Sequence, residues 1–487
     1  MALGLTPQQI VDKGTHPLLG IKKDWRRIQL QEIAEVQNGY AFKSTFFTQD
    51  EGVPLIRIRD INSKDTDHFY NGDYDDSYIV RKNDVLIGMD GDFNVTKWPG
   101  EMGLLNQRVC RIKCDTAVYD EDFLFYVLQP YLNAVHAETS AVTVKHLSSK
   151  TIKALPIPLP PLPEQRAIVA KLERLFAELD RSVAELEAAR EKLGVYRQSV
   201  LKEAFGGRLS EGWRSNHIDV SSTVDSEITT AREECYKFQL EEYNRALSIW
   251  KQTGGAGKKP KKPRKLDVPD APTETHEHIK WSIPDRWCWT QLGIIGFVTK
   301  LAGFEYTKFV SYSENGDLLV LKAENAATNG FKPTDFSKVD SETVKDLTRT
   351  ILHGGEMLVV FVGAGTGNVA IVPKDQTYFL GPNIGMVRPY LDLNEKYLLY
   401  FYQFAGGKDL MLATMKAVAQ PSLSMGTIRQ APLALTCKSE QDQIVQEIET
   451  RLSVADKLEQ EITDSLERAR RLRQGVLKRA FAGKLIL

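Results

Sequence analysis

The sequence contains the same long segment twice. Laying Glu164 on Glu440 superposes residues 164–209 on residues 440–485 without a gap, with about 17 identities over about 46 positions. EQRAIVAKLE falls on EQDQIVQEIE, and YRQSVLKEAFGGRL falls on LRQGVLKRAFAGKL. The register reaches backward: Leu147, Ser148, Thr151 and Ile152 match Leu423, Ser424, Thr427 and Ile428. Further upstream the likeness weakens but keeps its order. WRRIQLQEIAEV at Trp25 resembles WCWTQLGIIGFV at Trp287, LIRIRDIN at Leu55 resembles LLVLKAEN at Leu318, and DFLFYVL at Asp122 resembles KYLLYFY at Lys396. The order is therefore globule, helix, globule, helix.

The repeated segments read as long helices. Leu172, Leu179, Leu186, Leu193 and Val200 stand seven apart, and Ile448, Ala455, Ile462, Ala469 and Val476 repeat the spacing. A seven-residue stripe of this length is a coiled-coil seam rather than a general amphipathic face. Pro163-Glu164 suits a helix start, Ser439 with Asp442 three residues on suits a cap, and Gly206-Gly207 and Gly483 suit the stops. Two copies in one chain can cover each other's stripe, so antiparallel pairing about a pseudo-twofold axis is expected. Each helix packing on its own globule is the alternative. Phe205 and Phe481 are expected at the helix ends.

Each globule carries short β-type runs (Leu55–Ile58, Val85–Ile87, Leu318–Leu321, Met357–Val362) and a helical stretch, which predicts mixed α/β domains. The expected boundaries are 1–155 and 281–435 for the globules and 156–209 and 436–487 for the helices. An inserted segment, 210–280, lies between. Its Glu227–Trp250 stretch looks helical. Lys258, Lys259, Lys261, Lys262, Arg264 and Lys265 then form either a solvated linker or a phosphate contact. The proline-rich ALPIPLPPLPEQ should be an extended, stiff lead into the first helix.

At 487 residues the chain has room for about three units. Lys and Arg number 63 against 64 Asp and Glu, so net charge neither points to nucleic acid nor excludes it. The N-terminal MALGLTPQQIVDKG lacks a secretory pattern, and no apolar run is long enough to span a bilayer. Five scattered cysteines fit free thiols in the cytoplasm. VGAGTGN at Val362–Asn368 is followed by VAIV and Pro373 rather than by a helix, so it reads as a glycine-rich hairpin and not a cofactor loop. GGAGKK lacks the Ser/Thr of a phosphate loop, and Cys110 and Cys114 have no second ligand pair. His146 and His353 read as ordinary histidines, and no catalytic constellation or Asn-Pro-Pro-aromatic run is present. No metal site and no catalytic residues are expected.

The layout, the PLPPLPEQRAIVAKL lead and the VLKEAFGGRL and VLKRAFAGKL ends resemble the specificity subunit of Type I restriction-modification systems, over nearly the whole chain. The second lead, PLALTCKSEQ, departs from the proline-rich pattern. The resemblance implies a non-catalytic subunit with two target recognition domains, each reading half of a split double-stranded DNA sequence. It implies helices that act as a ruler and as the dock for two methyltransferase subunits, which would carry S-adenosylmethionine and methylate adenine N6. Two restriction subunits using ATP and Mg would join them in phage defence. A free-standing methyltransferase using VGAGTG and a coiled-coil scaffold without DNA specificity are the rivals.

Base reading needs Arg, Lys, Asn and Gln on loops beside a rigid sheet. The first globule offers Lys43, Arg57, Arg59, Asn94, Lys97, Asn106, Gln107, Arg108, Lys145 and His146. The second offers Lys300, Lys308, Lys322, Asn325, Asn368, Asn383, Gln420 and Ser422. Arg57 and Arg59, two apart, are expected on one strand face.

Overall fold

The computed structural model describes residues 5–63, 65–139, 145–217, 223–252, 254–255, 259–263, 279–390, 392–413 and 422–485. It divides into two compact units: Met1–Ala189 with Glu461–Leu487, and Arg190–Gln460. Each unit holds one globule and a stretch of both long helices.

The first globule runs β1 (Arg26–Gln29), β2 (Ala34–Asn38), β3 (Val53–Ile56), β4 (Ile79–Arg81), β5 (Val85–Gly88), β6 (Val95–Lys97), β7 (Met102–Leu105), β8 (Val109–Cys114), α1 (Glu121–Glu138) and β9 (Pro156–Leu159). VLIG of β5 is buried throughout, as a strand covered on both faces must be. It lies inside an antiparallel sheet of order β2-β8-β5-β6. Beside it β3 and β7 pair in parallel, with β4 antiparallel on the far side of β7. The carboxylate of Asp120 accepts from the backbone N–H groups of Asp122 and Phe123, which starts α1. That helix then buries Phe123, Leu124, Val127 and Leu128 in the core.

Then come α2 (Leu162–Phe205), α3 (Thr223–Gln252) and the second globule: β10 (Cys288–Gln291), β11 (Gly296–Lys300), β12 (Leu318–Leu321), β13 (Ser337–Val339), β14 (Ile351–Leu352), β15 (Met357–Val360), β16 (Val369–Ile371), β17 (Tyr378–Leu380), β18 (Ile384–Pro389), α4 (Glu395–Gln403) and β19 (Pro432–Leu435). α5 (Lys438–Phe481) closes the chain. The plan repeats: an antiparallel sheet β11-β18-β15-β16, a parallel pair β12 and β17, and β14 antiparallel to β17. The short identity at Ser148–Thr151 and Ser424–Thr427 is a helix cap used twice. Each serine Oγ accepts from the threonine N–H, at 3.1 and 2.9 Å.

Both long helices have 44 residues, rods of roughly 66 Å at 1.5 Å per residue. Their leads are equivalent despite the missing prolines. ALPIPLPP is not a free-standing lead: β9 pairs with β1, just as β19 pairs with β10, and prolines are tolerated because the sheet has only two strands. The shared Glu-Gln pair explains the rest. Gln165 Oε1 accepts from Asp120 N at 2.8 Å, and Gln441 Oε1 from Asn394 N at 3.0 Å. Glu164 takes the Trp25 indole N–H at 3.1 Å, and Glu440 takes that of Trp287 at 3.0 Å. Ser439 is a correction: α5 already begins at Lys438, and the N–H groups of Glu440 and Gln441 are met by the Cys437 carbonyl. The stops are as expected. Gly207 (φ 75°) and Gly483 (φ 68°) are left-handed, and the following N–H in each case bonds five residues back, Arg208 to Glu203 and Lys484 to Arg479.

In each unit α2 and α5 lie against each other in opposite directions. In one, Arg473 sits over the Phe176 ring and pairs with Asp180 at 2.6 Å. In the other, Arg197 pairs with Asp456 at 2.6 Å and Glu459 at 2.8 Å, while Arg190 reaches Glu459 at 3.9 Å. Leu172, Val200, Ile448, Ala455, Ile462 and Ala469 are buried; Leu179, Leu186, Leu193 and Val476 are half-buried. Two helices alone cannot enclose long leucines, so the middle of the stripe stays partly wet. Phe205 and Phe481 do more than cap. Phe205 is buried among Tyr397, Phe401 and Phe404 of the second globule, and Phe481 packs on Phe123 of the first. Each helix therefore starts from one globule and ends in the core of the other.

α3 is helical as the sequence predicts and rests on the second globule through buried Ala231 and Cys235, with Phe238 5.6 Å from Phe297. Lys259, Lys261 and Lys262 are exposed; Lys258, Arg264 and Lys265 lie outside the described residues. Among the described residues no helix is long and apolar enough to cross a membrane.

Candidate nucleic-acid interface

In the first globule four loop segments lie side by side at one edge. Met89 N donates to Arg108 O at 2.9 Å, Leu147 N to Met89 O at 2.7 Å and Gly91 N to Lys145 O at 3.0 Å. On the other flank Tyr40 N donates to Leu105 O, and Gln107 N to Tyr40 O at 2.8 Å. Packing this tight demands Gly39, because a Cβ there would stand 2.0 Å from the Asn106 carbonyl oxygen. Arg108 takes φ 69°, which turns the chain between β7 and β8. The edge exposes Lys43, Gln107, Arg108 and His146, with Tyr40 half in solvent and Lys145 half-buried. Exposed Arg59 joins Asp90, Asp92 and half-buried Asn94 around a recess of about 290 Å³.

Three first-globule candidates are committed elsewhere. β3 ends at Ile56, so Arg57 and Arg59 lie in the following turn and share no strand face. Arg57 is buried, with Nε 3.3 Å from Asp60 and its guanidinium 2.6 Å from Asp67, so its charge is spent on the turn. Lys97 pairs with Asp122 and stands over the Phe125 ring. Asn106 is buried, and its Oδ1 accepts from Gln107 N at 2.8 Å.

The second globule builds the same ladder from other side chains. Phe361 N donates to Asn383 O at 3.3 Å, Leu423 N to Phe361 O at 2.8 Å, and Val362 bridges Ser422 where Asp90 bridges His146. Asn383, at φ 64°, occupies the Arg108 position. Exposed here are Asn383 and Ser422, and Lys308 on its own short helix. Half-buried Lys300 stands 4.6 Å from the centre of the Phe361 ring. Gly363 and Gly367, both left-handed, close the hairpin between β15 and β16, so VGAGTGN is a strand-to-strand turn. Lys322 is held by Ser337 at 2.6 Å, and Asn325 is buried on Lys332 O and Thr334. Asn368 Oδ1 accepts from Lys408 at 2.9 Å. Gln420 lies outside the described residues.

A family model described as the Type I restriction modification DNA specificity domain matches residues 22–188 and again 294–468. The chain belongs to that family. Members among its relatives include the Type I restriction enzyme EcoBI specificity subunit of Escherichia coli, 29% identical over 100% of this chain and 91% of that one. The EcoKI specificity subunit of Escherichia coli strain K12 is 22% identical over 73% of this chain and 63% of its own length. A chain from a structural study of complex assembly and conformational transition in a type I R-M system shares the fold, with TM-score 0.62 at 16% identity, over 96% of this chain and 99% of that one. A type I specificity subunit is a DNA-recognition component and not a catalytic one, so a methyltransferase built on VGAGTG is not favoured.

For a specificity subunit the two edges differ in a telling way. On its rungs the first carries Arg108, His146 and the carboxylate Asp90, where the second carries the uncharged Asn383, Ser422 and Val362, with Lys300 and Lys308 beside them. A search of the sequence for cations and amides passes over Asp90. The available signal is the match of MDGDFN to VGAGTGN, which places a carboxylate where the other copy has an aliphatic residue. Cys110 and Cys114 take no part. Burial pushes both thiols up to about 12, so neither offers a thiolate at neutral pH.

Proposed function

We propose that each globule reads one half of a split, non-palindromic double-stranded DNA sequence, in the cytoplasm, within a Type I restriction-modification complex that defends against phage. The observation that carries this reading is one backbone ladder built twice and faced with different side chains. A shared scaffold with unlike donors and acceptors suits two unlike sets of base edges. On this reading Lys43, Arg59, Asn94, Gln107, Arg108, Lys145 and His146 serve the first half-site, and Lys300, Lys308, Asn383 and Ser422 the second. Two methyltransferase subunits, carrying S-adenosylmethionine and acting on adenine N6, dock along α2 and α5. Two restriction subunits supply ATP- and Mg-dependent cleavage. Mapping N6-methyladenine across the host genome with the gene present and deleted tests the reading. One split motif should vanish on deletion; an unchanged map would overturn it.

The docking role predicts a separable defect. Ile462 is buried in the seam and Leu186 half-buried, so a double Leu186→Asp, Ile462→Asp variant places two unpaired carboxylates there. The buried one should cost about 3–5 kcal/mol and the wetter one less. Methyltransferase co-purification should be lost while the globules keep their own thermal transition. A variant that still co-purifies at normal stoichiometry would argue against helix docking.

A further inference from the structure

We infer that Asp90 is a specificity-determining positioning residue: it holds Arg108 and His146 so that their remaining nitrogens face base edges, the Arg108 fork taking a guanine. This rests on the DNA-reading role proposed above.

Asp90 sits on the middle rung of the first-globule ladder. One carboxylate oxygen is 2.6 Å from His146 Nδ1, on the segment to one side. The other is 3.7 Å from Arg108 Nε, on the segment to the other side. A single anion therefore ties together the two exposed side chains that flank it. Asp90 itself is only one-fifth exposed, whereas Arg108 and His146 are each more than half exposed.

The chemistry follows from which atoms are engaged. An ionised carboxylate only accepts, so His146 Nδ1 carries the proton in this pair. Its Nε2 has no hydrogen-bond partner among the described residues and is the nitrogen left for recognition. Arg108 faces Asp90 through Nε as an ion pair at 3.7 Å, longer than a hydrogen bond, and its two terminal amino groups remain as a fork. That fork matches the O6 and N7 acceptors of guanine in the major groove.

The fold does not need this carboxylate. The second globule forms the same backbone ladder with Val362 in the Asp90 place, Asn383 in the Arg108 place and Ser422 in the His146 place. An acid beside a DNA-facing edge also opposes phosphate binding. Its presence is understandable only if it improves discrimination by more than it weakens general attraction. Removing it should therefore separate two quantities that a folding defect would lower together.

The test uses the intact complex of this chain with its methyltransferase subunits. One duplex carries the sequence that the complex is found to methylate, and the other is unrelated. With Asp90→Asn, binding to the unrelated duplex should hold or tighten, while the ratio of matched to unrelated affinity falls about 10–100-fold. The methylated motif should become degenerate at one or two positions of one half-site only. Glu138→Gln removes a surface charge on α1 and should leave both readouts unchanged. An unchanged ratio and motif with Asp90→Asn overturns the inference, as does an equal loss on both duplexes. If the unsubstituted complex prefers no duplex, the DNA-reading role itself fails.

Discussion

Replacing residues 279–435 by the corresponding globule of another specificity subunit should change one half of the methylated sequence and leave the other half intact. The graft points follow from packing. β10 and β19 pair with each other, so both ends of the exchanged segment leave from one two-stranded sheet. Ile279 is buried in the same core, which puts the first junction slightly before the boundary at 281 that the sequence suggests. The incoming globule must also receive Phe205, whose ring lies 5.4 Å from Tyr397 and 5.1 Å from Phe401. A graft lacking that aromatic pocket would lose the burial of a phenylalanine, about 3–5 kcal/mol, and fail for a reason unrelated to DNA. With the pocket kept, methylation at the old second half-site should drop by roughly 10³-fold or more, the usual margin between specific and nonspecific DNA binding. Sequencing of methylated adenines reads both halves at once. A change in both halves together would mean that the globules do not read independently.

The helices were legible in the sequence because their signals are local. A stripe at every seventh position, two glycines just past a shared VLK-AF motif and a repeated Glu-Gln pair each act within a few residues. All ten stripe positions are buried or half-buried, Leu172, Val200 and Ile448 within the globule cores. The purpose of Phe205, Phe481 and the Glu-Gln pairs was not legible. Their partners are far away in the chain: Phe481 meets Phe123, and Gln441 meets Asn394.

The proposed DNA-reading edge was half legible for the same reason. Choosing Arg, Lys, Asn and Gln in loops found Arg59, Arg108 and Asn383, which the fold leaves exposed. It also collected Arg57, Asn106 and Asn325, whose polarity closes turns. Nothing in RIRD tells which arginine the Asp60 carboxylate will take; only the end of β3 at Ile56 decides that. Asp90 shows the converse. Its role depends on Arg108 and His146 arriving from two other segments, and a carboxylate in a loop ordinarily means solvent.

Lengthening both long helices by one heptad should widen the gap in the methylated sequence without altering the bases on either side. Seven residues preserve the stripe, because the seam repeats every seven. The insertion must be made twice. Asp180 of α2 meets Arg473 of α5, and Arg197 meets Asp456, so residues added to α2 after Ala188 alone would have no facing partners. Seven more after Ser465 of α5 supply them. Each rod then gains about 10.5 Å. At about 3.4 Å per base pair, transmission of the full length along the DNA adds three base pairs to the gap, and partial transmission adds one or two. The half-sites should stay fixed, since Arg108, Asp90, Asn383 and Ser422 keep their surroundings. Twist is the principal obstacle. Three base pairs turn the second half-site by about 100° around the DNA axis, because a helical turn takes about 10.5 base pairs. Methylation should therefore be slower at the new spacing than at the old one with the parent protein. The mapped motif separates the cases. A wider gap with unchanged half-sites identifies the paired helices as the element that sets the spacing. An unchanged gap would assign the spacing instead to contacts between the globules and the methyltransferase subunits.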